Sequence, residues 1–112
     1  MAVELGPVIA VRTFLLDGEP TVIARVGLPF TPKEYPEESW CPYQIEGFGS
    51  GRVRRAIGID SVQSLQLALL SIGTELNCSA EYQAGRLMAF PGEPHGDLGF
   101  PHWQDSEQSS PQ

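Results

Sequence analysis

The spacing of apolar residues changes at Asp60. Before this residue, short segments alternate between apolar and polar side chains, which is typical of strands with one buried face. After it, apolar residues recur every three or four positions, which predicts one amphipathic helix. The helix should begin at a capping box formed by Asp60 and Gln63 and end at 77–80. The recurring apolar residues are Val62, Leu65, Leu69, Ile72 and Leu76.

The first two predicted strands form a hairpin. Val8–Leu16 and Thr21–Leu28 are rich in β-branched residues, which favour strands. Asp17-Gly18 lies between them and favours a type I′ turn, because both central residues of that turn need a positive φ. Glu19-Pro20 then indicates a loop slightly longer than two residues.

A proline-rich loop at 29–39 separates this hairpin from two further strands, at 40–48 and 52–59, in which apolar and polar residues alternate. A short fifth strand is predicted at 86–90. The fold class is therefore α+β: an antiparallel meander of four strands followed by one amphipathic helix packed on the sheet. The apolar face of the fourth strand is expected to carry Val53, Ile57 and Ile59.

The composition limits the domain count and the partners. With 112 residues the chain has room for one domain, which we assign to 1–103, and 104–112 has no apolar residue and is expected to be a disordered polar tail. The formal net charge of −7 disfavours nucleic acid and anionic membrane surfaces. No signal peptide or membrane span is evident. We therefore expect a cytoplasmic protein with reduced thiols at Cys41 and Cys78.

Two segments carry a resemblance to a known family. They are Trp40-Cys41-Pro42-Tyr43 and the stretch Gly-Ile-Asp-Ser-Val-Gln-Ser-Leu-Gln-Leu-Ala-Leu from Gly58 to Leu69. Together they resemble a family of short bacterial proteins known as a domain of unknown function, over 8–90. The resemblance implies a bacterial, single-domain protein and assigns no functional residues.

Arg52, Arg54 and Arg55 bring three of the seven cations into four positions. Alternation places Arg52 and Arg54 on one face of the fourth strand and Arg55 on its apolar face. They are candidate ligands for an anion or an acidic peptide, because a guanidinium binds carboxylate and phosphate groups through paired hydrogen bonds. The alternative is ion pairing with the protein's own carboxylates, such as Glu46 across the hairpin.

Trp40 is a further candidate for partner binding. The alternation of its strand places it on the solvent side, where a large aromatic side chain could anchor a partner. The alternative is that the proline-rich loop or the C-terminal segment folds over it.

No catalytic residue, metal site or cofactor is predicted. The glycines at 47–51 are followed by a strand, which favours a hairpin turn over a phosphate-binding loop, since such a loop leads into a helix. The acids and histidines of the Gly/Pro-rich segment 91–103 lack the spacing of a known metal site.

Three hypotheses for the function follow. The leading one is a small non-enzymatic interaction protein, which pairs with another protein or with a second copy through an exposed strand edge. The first alternative is an enzyme or a small-ligand binder whose site lies between the sheet and the late loop, near Arg52–Arg55. The second is a nucleic-acid binder built on a small barrel.

Overall fold

The computed structural model describes residues 3–103, so the predicted tail at 104–112 lies outside the described residues. The elements are β1 (Val8–Leu16), β2 (Glu19–Gly27), β3 (Ser39–Glu46), β4 (Val53–Gly58), α1 (Ser61–Asn77), α2 (Ala80–Gln83) and β5 (Leu87–Met88). Neither helix in this range combines the length and the apolar character needed to cross a bilayer.

The five strands form one open antiparallel sheet in the order β4-β3-β2-β1-β5. The predicted α+β meander with a short fifth strand is therefore confirmed. Because β4 and β5 lie at opposite edges, the described sheet does not close on itself. The small barrel that the nucleic-acid hypothesis requires is absent from residues 3–103, and that architectural expectation is wrong.

The β1–β2 hairpin turns at Asp17 and Gly18, whose φ values are 53° and 84°. The expected longer loop is wrong: β2 begins at Glu19, directly opposite Leu16. The additional residue is accommodated inside the ladder, where the register shifts between Phe14 and Leu16. The loop can therefore keep the two residues that a type I′ turn needs.

Helix α1 begins at Asp60, whose side chain accepts a hydrogen bond from the Gln63 backbone N–H at 2.8 Å. The Gln63 side chain reaches back to the backbone N–H of Ile59, also at 2.8 Å, so the predicted capping box is present with its return bond one residue earlier. A Cβ at Gly73 of α1 would overlap the carbonyl oxygen of Pro101. The Gly/Pro-rich segment 91–103, here called the late segment, therefore crosses the helix at this glycine.

The faces of β4 are the reverse of those expected from the sequence. Ala56 and Gly58 lie under α1, while Val53 and Ile57 lie on the opposite face. The reason is steric: a Cβ at Gly58 would lie 2.7 Å from the backbone nitrogen of Ser64, so only small residues fit beneath the helix. The larger apolar residues are therefore left on the uncovered face.

Helix α1 and the late segment pack side by side on the same face of the sheet. Helix α1 packs on β3 and β4, and the late segment covers β1 with Leu98, which is fully buried, and Phe100, whose ring centroid lies 6.0 Å from that of Phe14. The other side of the sheet, here called the open face, carries no helix among residues 3–103. It presents side chains of alternate residues, including Val11, Ile23, Arg25, Val53, Arg55 and Ile57.

Candidate functional site

Arg54 lies on the helix side of β4, where it pairs with Glu75 of α1 and lies over the ring of Tyr43, 5.2 Å from the centroid. Burial opposes its charge, but the hydrogen bond to Glu75 and the nearby Tyr43 raise the pKa of Arg54 above its usual value. The expected ion pairing is therefore present, although with a different partner. Glu46 pairs with Arg25 instead.

Arg55 projects from the open face and lies over the ring of Trp40, with its guanidinium carbon 4.1 Å from the ring centroid. A cation over an indole ring is held by the ring's negative face. No acidic side chain among residues 3–103 forms a salt bridge with Arg55. Its position is thus fixed by stacking, and its hydrogen-bond donors remain free to bind a carboxylate.

Trp40 is buried, with 5% of its surface exposed. The proline-rich loop folds over it: the rings of Phe30 and Tyr35 lie 6.0 and 5.7 Å from its ring, and Glu38 accepts a hydrogen bond from its indole N–H at 2.8 Å. Of the two alternatives for Trp40, the structure therefore shows the covered one. The ring of Trp40 packs against the guanidinium of Arg55. Trp40 also lines a pocket of about 480 Å³ beside the N-terminal segment.

Arg52 is exposed just before β4 and has no salt bridge in the described part of the chain. All three predicted arginines border one open cleft of about 710 Å³ along this edge of the sheet. Trp40 does not line that cleft. The other lining residues are Val3, Tyr43, Val53 and Ile57.

The late loop does not line this cleft. It covers β1, which is separated from β4 by two strands. A site between the sheet and the late loop near Arg52–Arg55 therefore stays a prediction, and the cleft beside the arginines is lined without that loop.

The outer edge of β1 was not singled out from the sequence. β5 pairs with Leu15 and Leu16 only, so the outer backbone groups of 8–13 have no hydrogen-bond partner among residues 3–103. Every residue of Val8–Thr13 is exposed. This free edge depends on where a two-residue strand pairs, and no local signal in the sequence gives that position.

Arg12 is the one charged residue of β1, and its side chain turns to the helix side. Its guanidinium donates to the carbonyl oxygen of Leu98 at 3.3 Å and lies 5.7 Å from the centroid of Phe100. Gly99 has a φ of 86°, in the left-handed region that favours glycine, and a Cβ there would also displace this guanidinium. Beside it lies a groove of about 200 Å³, whose lining includes Ala10, Ala24, Val26, Leu69 and Pro101.

The thiols and the possible metal ligands do not form a reactive centre. Burial raises the pKa of the Cys41 thiol to about 11, which keeps it protonated at neutral pH. Cys78 is exposed and free at the end of α1. Within 3–103, no group of three or more potential metal-ligating side chains lies close enough together to hold an ion.

Comparison with known proteins gives a family without an assigned activity. No curated protein matches the chain, and no solved structure matches it. Residues 10–102 match the family described as a domain of unknown function, DUF6968, in agreement with the resemblance to an uncharacterised domain family. Because this match covers most of the chain, the protein belongs to the DUF6968 family.

Proposed function

We propose that this chain is a small non-enzymatic interaction protein of the bacterial cytosol that assembles by adding a strand to the outer edge of β1. The occupant that best fits this edge is a second copy of the chain. The proposal rests on the unpaired, exposed backbone of 8–13. The free thiols Cys41 and Cys78 fit a reducing compartment.

The edge of β1 lacks the charge that usually prevents strand addition. Natural sheet edges are protected by charged side chains, prolines, bulges or short length. β1 has nine residues and pairs regularly with β2 from Ala10 to Phe14. The guanidinium of Arg12 is held on the helix side by Leu98 and Phe100, so the open-face side of the edge remains uncharged.

A two-fold axis at Val11 gives a register without charge repulsion. In antiparallel self-pairing about this residue, Val11 of one copy lies opposite Val11 of the other, within the regular stretch Ala10–Phe14; Ile9 lies outside that stretch, at the register shift between Val8 and Ala10. Each Arg12 lies opposite Ala10 rather than its own counterpart, so like charges are not directly paired. The exposed apolar surface of Val11, which is 59% exposed, becomes covered.

Sedimentation equilibrium over a concentration series tests this pairing. We expect a reversible dimer for the wild-type chain and a monomer for Val11→Lys, because the two introduced lysines would face each other across the axis. Ile57→Lys is the matched control, since Ile57 is 43% exposed on the same open face at the opposite edge, and it should remain dimeric.

Two results would refute this proposal. One is a wild-type chain that stays monomeric at every concentration. The other is an equal loss of association in Val11→Lys and Ile57→Lys, which would locate the contact elsewhere. Far-UV circular dichroism of both variants verifies that they are folded, which is expected because both side chains are exposed.

A further inference from the structure

We infer that the opposite edge of the sheet, along β4, is a second binding site, which takes an extended acidic segment of a partner protein. The segment pairs with β4 as an added strand. Five consecutive residues of the segment are apolar, unrestricted, acidic, unrestricted and apolar, in that order. This site is independent of self-pairing through β1, because two strands, β2 and β3, lie between β1 and β4.

The pattern of the segment follows from the open face of β4. Val53, Arg55 and Ile57 alternate along this face. A strand added to β4 places one residue opposite each of them, and these cross-strand neighbours are the pairs that stabilise a sheet. A carboxylate therefore faces Arg55, and apolar side chains face Val53 and Ile57. Since the pattern reads the same in both directions, it holds for parallel and antiparallel addition.

Arg55 is held in place before any ligand arrives. Its guanidinium lies 4.1 Å above Trp40, and Trp40 is itself fixed by the rings of Phe30 and Tyr35. An arginine that is already positioned loses less conformational entropy on binding than a free one. The buried tryptophan thus contributes to this site as a platform, without touching the partner.

The charges at this edge favour an acidic partner. The chain has 14 acidic and 7 basic residues, yet neither Arg52 nor Arg55 forms a salt bridge with any carboxylate of residues 3–103. Repulsion from the rest of the molecule is screened beyond about 8 Å at physiological ionic strength. At contact distance the two unneutralised guanidinium groups therefore dominate.

An extended chain fits this edge better than a small anion does. Arg54 and Arg55 are consecutive in β4 and project from opposite faces, and Arg54 is already paired with Glu75. They cannot both hold one phosphate from the same side. The cleft of about 710 Å³ follows the strand and includes the apolar side chains of Val53 and Ile57, which suit the flanking residues of a peptide.

Fluorescence anisotropy with a labelled peptide, Ser-Val-Thr-Glu-Thr-Val-Ser, tests this site. We expect binding that weakens with added salt, and roughly tenfold weaker binding when the central glutamate is replaced by glutamine, because a charge-assisted pair is lost. Arg55→Gln should cause a loss of similar size. Arg52→Gln, whose side chain makes no hydrogen bond among the described residues, is the second variant if Arg55→Gln fails to fold.

Val11→Lys is the matched control and should bind the peptide as the wild-type chain does. Equal binding of the glutamate and glutamine peptides, or unchanged binding by both arginine variants, would overturn the inference. Displacement of the peptide by millimolar inorganic phosphate, with phosphate binding lost in Arg55→Gln, would also overturn it in favour of a small-anion site. Amide shifts in an NMR titration should concentrate in Val53–Gly58 rather than Val8–Phe14.

Discussion

The two edges of the sheet differ in charge although both are strands with apolar residues on the open face. β1 presents Val11, and its one arginine is turned away. β4 presents Arg55 between two apolar residues, with Arg52 beside it. Two copies of β4 would bring arginines together, whereas two copies of β1 would not. In the two proposed pairings, charge placement rather than strand propensity distinguishes the occupant of one edge from that of the other.

β4 and β1 also differ in what packs on them on the covered face of the sheet, the face opposite the open face. β4 lies under the regular helix α1, which approaches closely because Ala56 and Gly58 are small. β1 lies under an irregular segment anchored by Leu98 and Phe100. A helix satisfies its own backbone hydrogen bonds, whereas an irregular cover depends on a few anchoring side chains. The cover of β1 should therefore be the more sensitive of the two to a single substitution.

Leu98→Ala should give the largest change in stability. Leu98 is 1% exposed, and removing a buried leucine side chain costs about 2–5 kcal/mol of unfolding free energy. Urea denaturation monitored by circular dichroism measures the loss. Val62→Ala is the control, because Val62 is 62% exposed on α1 and should change stability by less than about 0.5 kcal/mol. A Leu98→Ala variant as stable as this control would show that the late segment does not anchor β1.

The elements that the sequence predicted well are those with local signals. Asp17-Gly18 and the Asp60–Gln63 capping box act within a few residues, and both lie where they were predicted. The prediction of which β4 side chains face the helix was wrong, because that orientation depends on the close approach of α1 at Gly58. A run of alternating residues shows that two faces exist, but it does not show which face a helix will cover.

The environment of the candidate residues could not be read from the sequence for the same reason. Arg54 pairs with Glu75, which is 21 positions away on α1, whereas the nearest carboxylate along the neighbouring strand in sequence is that of Glu46. Trp40 is covered because Phe30 pairs with it across an isolated bridge and returns the loop over its ring. Both contacts depend on tertiary packing. The arginine cluster itself was visible as a composition feature, and the structure places all three members around one cleft.

Glu75→Gln should have an intermediate effect, confined to the β4 edge. It removes the partner of Arg54 in a pair whose side chains are 38% and 32% exposed, and a partly exposed ion pair of this kind contributes about 1 kcal/mol or less. We expect a small fall in the urea midpoint and no change in the sedimentation of the chain, because β1 is untouched. The unfolding free energy should also become less sensitive to salt than that of the wild-type chain. A change in association state would contradict the independence of the two edges.

The ion pair between Asp17 and Arg86 should give the smallest effect, visible mainly through pH. Arg86 donates two hydrogen bonds of 2.8 Å to the Asp17 carboxylate and so joins the β1–β2 turn to the start of β5. The hydrogen bond from Arg86 lowers the pKa of Asp17 below its usual value. Since the folded pKa is the lower one, the stabilisation is fully present above the unfolded pKa of about 3.9 and is lost as the pH falls through the folded value.

The difference in unfolding free energy between the wild-type chain and Arg86→Gln should therefore be constant near neutral pH and shrink below about pH 4. Asp17→Asn is the matched variant, because asparagine tolerates the positive φ of 53° at this position while removing the charge. Its stability should lack this acid-dependent component. A difference that persists unchanged at low pH would mean that Arg86 supports β5 by packing rather than by its charge, and that the end of the free β1 edge is set without this ion pair.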